Sequence, residues 1–277
     1  MFDLDKISID LKKIVSNTMQ LKYAVSVLEV SRQNQRIGHT DNVILVGNPG
    51  VGKSHIIKAF YRSHAPYDEK ERTVVPVVKV SLSGKTSHLQ CVQEILEAMG
   101  DQKWNKGTSK ECDKRLYKLM KDNGVQMVII DEAHNTLNKK SINSHVAMTL
   151  KGINNNTSVS IVLAGIDSVM DYREDPELKR RFKRVIRINH MGYKSDSEVK
   201  DFKKLIADMC QVLPVENAGE LKTNDWVNRL YLVSEGIPDF IYTLFLESLR
   251  FIEPGETELT KKHFEKACMS FDVVKVF

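Results

Sequence analysis

The sequence predicts an α/β phosphate-loop domain followed by a small helical one, and three observations carry that prediction. Gly47-Asn48-Pro49-Gly50-Val51-Gly52-Lys53-Ser54 fits the pattern G-x-x-x-x-G-K-[ST] at every fixed position. Apolar, β-branched runs of buried-strand length alternate with helical stretches as far as residue 192. From Ser195 onward the chain reads as helix without strand.

Residues 1–40 read as a mostly helical N-terminal segment. Met19, Tyr23, Val27 and Val30 recur at helical spacing, with Leu21, Ala24 and Leu28 beside them. The pattern predicts an amphipathic helix packed beside the nucleotide site. Gly38 and Thr40-Asp41-Asn42 give a turn into a first strand, Asn42–Val46. The glycine loop follows, and then a helix from His55.

Strand, glycine loop and helix in this order place backbone N–H groups and a helix N-terminus around phosphate oxygens. Residues Asn48, Pro49, Gly50, Val51, Gly52, Lys53, Ser54 and His55 are the candidate nucleotide-binding set. Lys53 reaches the β- and γ-phosphates in such a loop, and the Ser54 hydroxyl holds Mg²⁺.

A polar stretch from Tyr67 to Arg72 leads to a second strand over Val74–Val80, with Pro76 near its start, where a missing donor is tolerated. The next helix turns Leu89, Val92, Ile95, Leu96 and Met99 to the core and closes at Gly100. Residues 101–123 crowd Lys103, Lys106, Lys110, Lys114, Arg115, Lys118 and Lys121 around Trp104, and the acids there only partly offset them. Two readings stand for this basic segment, a solvated helix face and a nucleic-acid surface.

Val125–Ile130 is a buried strand that delivers Asp131-Glu132 about eighty residues after the phosphate loop. Two acids at a strand end make the second half of a nucleotide-hydrolysis site. Asp131 is placed to hold Mg²⁺, and Glu132 to orient and polarise the attacking water. A helical stretch around Ile142 to Ile153 follows, then a strand over Val159–Gly165 that runs into Ile166-Asp167-Ser168. Leu178 to Ile188 reads as a helix end and then an alternating strand. Its arginines suit solvent, a phosphate backbone or a neighbouring subunit's nucleotide, and the position of Arg181 after the fourth strand favours the last. Beyond it, helices are expected over Val199–Leu213, Asn224–Val233, Pro238–Phe251 and Thr260–Phe271.

Composition narrows the setting. The chain has 277 residues and a formal charge of +5, which permits nucleic-acid binding without demanding it. Cys91, Cys112, Cys210 and Cys268 form no C-x-x-C pair, which argues for a reduced, cytoplasmic setting and against zinc. No apolar run approaches the ~18 residues of a membrane span, and the first residues lack a signal-peptide layout.

The succession of phosphate loop, acidic pair, polar turn after the fourth strand, basic helix end and helical segment is similar to AAA+ ATPases. Within them the chain resembles the TniB/TnsC transposition ATPases over residues 20 to 250. The features that carry this are Gly47–Ser54, Val74-Val75-Pro76-Val77-Val78, Val128-Ile129-Ile130-Asp131-Glu132-Ala133-His134-Asn135, and Val162-Leu163-Ala164-Gly165 followed by Arg181-Phe182.

The resemblance implies a parallel five-stranded sheet of order 5-1-4-3-2 across residues 41–192. It also implies a helical lid over 193–277, and nucleotide sites shared between subunits of a bacterial homo-oligomer, ring or helical filament. Arg181 becomes an arginine finger acting in trans, beside Lys53 and Glu132. Sensor 1 falls at Ile166-Asp167-Ser168; the family usually has Thr where Ile166 stands, which leaves Asp167 or Ser168 for the role. The lid stretch Ser234–Phe240 lacks the arginine that AAA+ proteins often place after a glycine, so slow hydrolysis is expected.

The function implied is ATP- and Mg²⁺-dependent assembly on double-stranded target DNA, bridging a target selector (TniQ/TnsD-like) to a transposase (TnsB/TniA-like), with hydrolysis dismantling the assembly. Lys103, Lys106, Lys118 and Lys121 are the candidate DNA contacts. The alternatives are a helicase-loader-like remodeller and a nucleotide-gated scaffold with little turnover.

Overall fold

A computed structural model describes residues 2–70, 72–82, 84, 86–137, 145–273 and 277. The helical stretch expected from Ile142 begins outside these residues. The chain divides into two units, one of residues 23–49 and 53–188, the other of residues 1–22, 50–52 and 189–277.

The first unit is built on strands β1 (Val43–Gly47), β4 (Val77–Ser81), β5 (Met127–Asp131), β6 (Ser160–Gly165) and β7 (Arg184–Ile188). They form one sheet in the order β4-β5-β6-β1-β7. Every neighbouring pair is parallel. Numbered along the sheet's own strands this is 5-1-4-3-2, as the resemblance implied. The central strands β5 and β6 are buried along their whole length, which is why they read as unbroken apolar runs and not as alternating ones.

Helices α3 (Lys53–Ser63), α4 (His88–Ala98), α5 (Ser109–Asp122), α6 (His145–Asn156) and α7 (Pro176–Arg181) connect the strands. Ser87 and Gln90 cap the start of α4 reciprocally, and Thr108 and Glu111 do the same for α5. Gly100 and Gly124, at φ 81° and 63°, take the chain out of these helices in a conformation that costs other residues energy.

The second expected strand is shorter than its sequence suggested. Val74 belongs to a separate antiparallel hairpin, β2 (Tyr67–Glu69) with β3 (Arg72–Val74), so the stretch expected as a polar connection is partly strand. The sheet strand starts only after Pro76, whose carbonyl accepts from Gln126 and Met127 N–H and whose ring nitrogen has no hydrogen to donate.

Helix α2 (Met19–Arg36) buries only part of the apolar set its spacing suggested. Ala24, Leu28, Ser31 and Arg32 are inside, while Met19, Tyr23 and Val30 are exposed. A buried arginine decides the face. The Arg32 guanidinium donates to Glu29 and to Gln126 at the foot of β5, and Ser31 Oγ donates to the Asp41 carbonyl. The Arg32 bonds are charge-assisted, and together with the Ser31 bond they hold these two polar residues inward beside Ala24 and Leu28.

The second unit contains α1 (Leu4–Lys13), α8 (Asp196–Cys210), α9 (Asn224–Ser234), α10 (Pro238–Arg250) and α11 (Lys261–Ser270). A 3₁₀ stretch, Glu216–Lys222, lies between α8 and α9. The segment expected as one N-terminal piece over 1–40 therefore splits. Ile7 and Leu11 pack in the same core as Phe202, Ile206, Leu244 and Phe245, while Tyr23 onward groups with the sheet. Gly50–Gly52 also group with this unit: the Gly50 carbonyl accepts from Asp239 N–H at 3.3 Å, and a Cβ at Gly50 would lie 3.0 Å from Ile237 Cγ2.

Candidate active site

The phosphate loop leaves the carboxyl end of β1, the edge at which open parallel sheets bind ligands. Gly50 and Gly52 adopt φ of 76° and 102°, which curls the backbone before α3 begins at Lys53. Lys53 is 6% exposed, and its Nζ donates to the carbonyl oxygens of Gly47 at 2.7 Å and Asn48 at 2.9 Å. Two of its three donors are thus turned back on the loop. Burial pushes the Lys53 ammonium below its usual range, and the Glu132 and Asp131 carboxylates act in the opposite direction. Asn48, Pro49, Ser54 and His55 are exposed on the rim, and Val51 is buried.

Asp131 ends β5, a strand whose parallel pairing sets it beside Ser81 at the end of β4. Its carboxylate is buried; Oδ1 accepts the Glu132 N–H at 3.0 Å, and Oδ2 lies 3.9 Å from Lys79 Nζ. Glu132 then adopts φ 53° and ψ 31°, the left-handed region that non-glycine residues enter at a cost. Sequence reading did not anticipate this strain. It reverses the chain into a 3₁₀ turn, Ala133–Thr136, and leaves the Glu132 side chain about half exposed.

Among the described residues no cluster of three or more His, Cys, Asp or Glu side chains is arranged to enclose a metal ion. Mg²⁺ is usually held by one or two side chains together with phosphates and water. Ser54 and Asp131 are the residues that would hold it.

Asp167 follows the end of β6 but pairs with Arg187 Nη1 at 3.3 Å, and both side chains are more than half exposed. Arg181, the last residue of α7, is held within its own chain: Nη2 donates to Asn155 Oδ1 at 2.6 Å and Glu177 Oε1 at 2.8 Å. Its Nε is buried without a partner. Arg180 beside it is exposed.

Lys103, Lys106, Lys118 and Lys121 are all exposed. Arg115 is not an outward charge of the same kind. Its Nε donates to Asp101 at 2.7 Å and Nη2 to the carbonyls of Lys103 and Lys106 at 2.8 and 3.0 Å, so it pins the loop that carries those lysines. Lys106 and Lys118 line one open basin of about 530 Å³ with Lys114 and Arg115.

A family model described as bacterial TniB protein matches residues 12–190, well over half of the chain. The chain belongs to the TniB family. This TniB protein is 25% identical over 185 residues to the chaperone protein ClpB of Mycoplasma pneumoniae, a match that covers 62% of the chain and 22% of ClpB. The chain therefore spans about a fifth of that relative's length.

Its fold is shared with the Aeropyrum pernix ORC2 protein, solved as ADPNP-ADP complexes, at a TM-score of 0.69 and 13% identity over 93% of this chain and 69% of that one. The Aeropyrum pernix ORC1 protein, solved in complex with DNA, gives 0.63 at 13% identity over 94% and 67%. The TniB protein has the AAA+ phosphate-loop fold of these neighbours. Among the described residues no helix is long and apolar enough to cross a membrane.

Proposed function

We propose that this TniB protein binds and hydrolyses ATP with Mg²⁺ to control its own assembly on double-stranded DNA, and that the assembly marks a transposition target. The observation that carries the reading is the placement of the Lys53 loop after β1 and of Asp131-Glu132 at the end of β5, both at the carboxyl edge of one parallel sheet. The family match supports the transposition setting, and the DNA complex of the ORC1 relative in fold makes duplex DNA a reasonable partner.

In this reading Lys53 exchanges the Gly47 and Asn48 carbonyls for β- and γ-phosphate oxygens when ATP binds. The curled backbone of 50–52 and the start of α3 donate N–H groups to the same anion. Ser54 and Asp131 would hold Mg²⁺, which would neutralise charge on the phosphates. Glu132 orients the attacking water and accepts its proton. Arg181 acts in trans on a neighbouring subunit's nucleotide, exchanging Asn155 and Glu177 for phosphate oxygens, and Asp167 serves as the polar sensor after β6.

Lys103, Lys106, Lys118 and Lys121 contact the phosphate backbone, a sequence-independent mode suited to a protein that accepts many targets. A TniQ/TnsD-like selector and a TnsB/TniA-like transposase are the partners the assembly bridges, in the bacterial cytoplasm.

The test is turnover in Glu132→Gln against wild type, with nucleotide affinity measured alongside. A loss of about 10²- to 10⁴-fold in kcat with binding retained is the expected result. Equal turnover would replace this reading with that of a nucleotide-gated scaffold.

A further inference from the structure

We infer that His134 is a positioning residue for the hydrolytic step, steering the Glu132 carboxylate from behind; the inference rests on the reading of Glu132 as the water-orienting group. Three features of the β5–turn region converge on it. His134 Nε2 lies 3.5 Å from Glu132 Oε2, and the imidazole side chain is 16% exposed while the carboxylate is 43% exposed. The ring's other nitrogen, Nδ1, is buried and has no hydrogen-bond partner. Gly165, the last residue of β6, leaves open the space the ring occupies: a Cβ there would lie 2.8 Å from His134 Nδ1 and 3.4 Å from His134 Cβ.

A buried ring nitrogen with nothing to bond is costly, and an apolar side chain at position 134 would avoid that cost. The ring is nonetheless enclosed, with a glycine opposite it. The geometry of its exposed end gives the reason. Glu132 sits in the left-handed backbone region, its N–H tied to Asp131 Oδ1, so its main chain is fixed in an unfavourable conformation.

Its side chain extends from that fixed backbone, and His134 Nε2 lies beside the carboxylate. With the proton on Nε2 the imidazole donates to Glu132, and Nδ1 is then the acceptor left without a donor, consistent with its lack of a partner. The separation of 3.5 Å is longer than a closed hydrogen bond, and catalytic contacts of this kind commonly tighten only when substrate is bound. The turn that carries the ring is itself anchored: Thr136 Oγ1 bonds the Ala133 carbonyl and the Tyr172 hydroxyl. Once tightened, the contact would fix one oxygen of Glu132 and leave the other for water.

The experiment compares wild type, His134→Ala, His134→Gln, Gly165→Ala, Glu132→Gln and the double variant His134→Ala/Glu132→Gln in the full chain. Steady-state ATP turnover with duplex DNA, nucleotide affinity and thermal melting are read for each. His134→Ala is expected to lower kcat roughly 10- to 100-fold, the loss of one hydrogen bond to a charged group, with nucleotide affinity changed less than about twofold.

His134→Gln, whose amide also donates, is expected to recover most of the rate. Gly165→Ala is expected to displace the ring and reproduce the His134→Ala defect without a change in affinity. The double variant should be no slower than Glu132→Gln alone, because both changes remove one function. Wild-type turnover in a folded His134→Ala protein overturns the inference, as does a rate loss that multiplies with that of Glu132→Gln. Wild-type turnover in Glu132→Gln overturns the reading of Glu132 and this inference with it, whereas inactive Glu132→Gln beside fully active His134→Ala removes His134 alone.

Discussion

Lys53 Nζ donates to the carbonyl oxygen of Gly47 at 2.7 Å, closing the phosphate loop on its own first residue. The ammonium is buried and two of its three donors bond loop carbonyls, so phosphate oxygens can take over those bonds without a new desolvation cost for the lysine. Lys53→Ala removes a charged donor aimed at the nucleotide. The expected loss in ATP affinity is roughly 10- to 100-fold, corresponding to about 1.5–3 kcal/mol for a hydrogen bond to a charged group. Titration with a fluorescent ATP analogue measures it, and unchanged affinity would remove Lys53 from the site.

Gly236 in the C-terminal unit has φ 75°, and a Cβ there would lie 2.1 Å from the Met191 carbonyl oxygen. The same backbone segment receives the Met191 N–H at the Gly236 carbonyl, 2.9 Å away, so retreat would break a hydrogen bond. Gly236→Ala is expected to cost about 2 kcal/mol or more. Gly219→Ala, where a Cβ meets nothing within 4 Å, serves as the control and should change little. Urea unfolding midpoints at unchanged slope measure both.

The four cysteines are free and buried. Burial pushes the Cys91 thiol up to about 12 and the Cys210 thiol up to about 11. At pH 8 the thiolate of either is a very small fraction, and thiolate is the reacting species. Neither residue should be labelled by a thiol-exchange reagent in the folded protein, and both should be labelled once the chain is denatured. Mass mapping of the labelled sites reads the result; rapid native labelling of Cys91 would contradict the burial of α4.

Lys106 and Lys121 are exposed near the two ends of the basic segment. If both meet phosphates, Lys106→Glu with Lys121→Glu weakens duplex binding and lowers the slope of log affinity against log salt by about 2, roughly 0.9 per contact. Nucleotide affinity should be unaffected. An unchanged slope would return these lysines to a solvated surface.

Much of the fold was legible in the sequence because its determinants are local or periodic. The Gly-rich loop after Asn42–Val46, the apolar run into Asp131, and Gly100 and Gly124 at helix ends each state their structure within a few residues. Features set by distant partners were not legible. The inward face of α2 includes Arg32, which meets Gln126 ninety-four positions away, so Ala24 and Leu28 are buried as their spacing suggested while Met19, Tyr23 and Val30 are not.

The grouping of Ile7 and Leu11 with Phe202 and Phe245 is likewise a long-range packing result. At the candidate site, the positions of Lys53, Asp131 and Glu132 could be read from their motifs. The left-handed backbone of Glu132 and the ring of His134 against Gly165 could not, because strain and steric accommodation leave no periodic mark. Arg115 looked like one more outward base; its bonds to Asp101 and two carbonyls make it a loop fastener instead.

The central claim, nucleotide-gated assembly on DNA, is tested most directly by measuring binding and assembly size on a random-sequence duplex with ATP, with ADP and with a non-hydrolysable ATP analogue. The account predicts duplex binding and large assemblies with the two triphosphate forms, and loss of both with ADP. Equal binding in all three states, or no duplex binding in any, would contradict it.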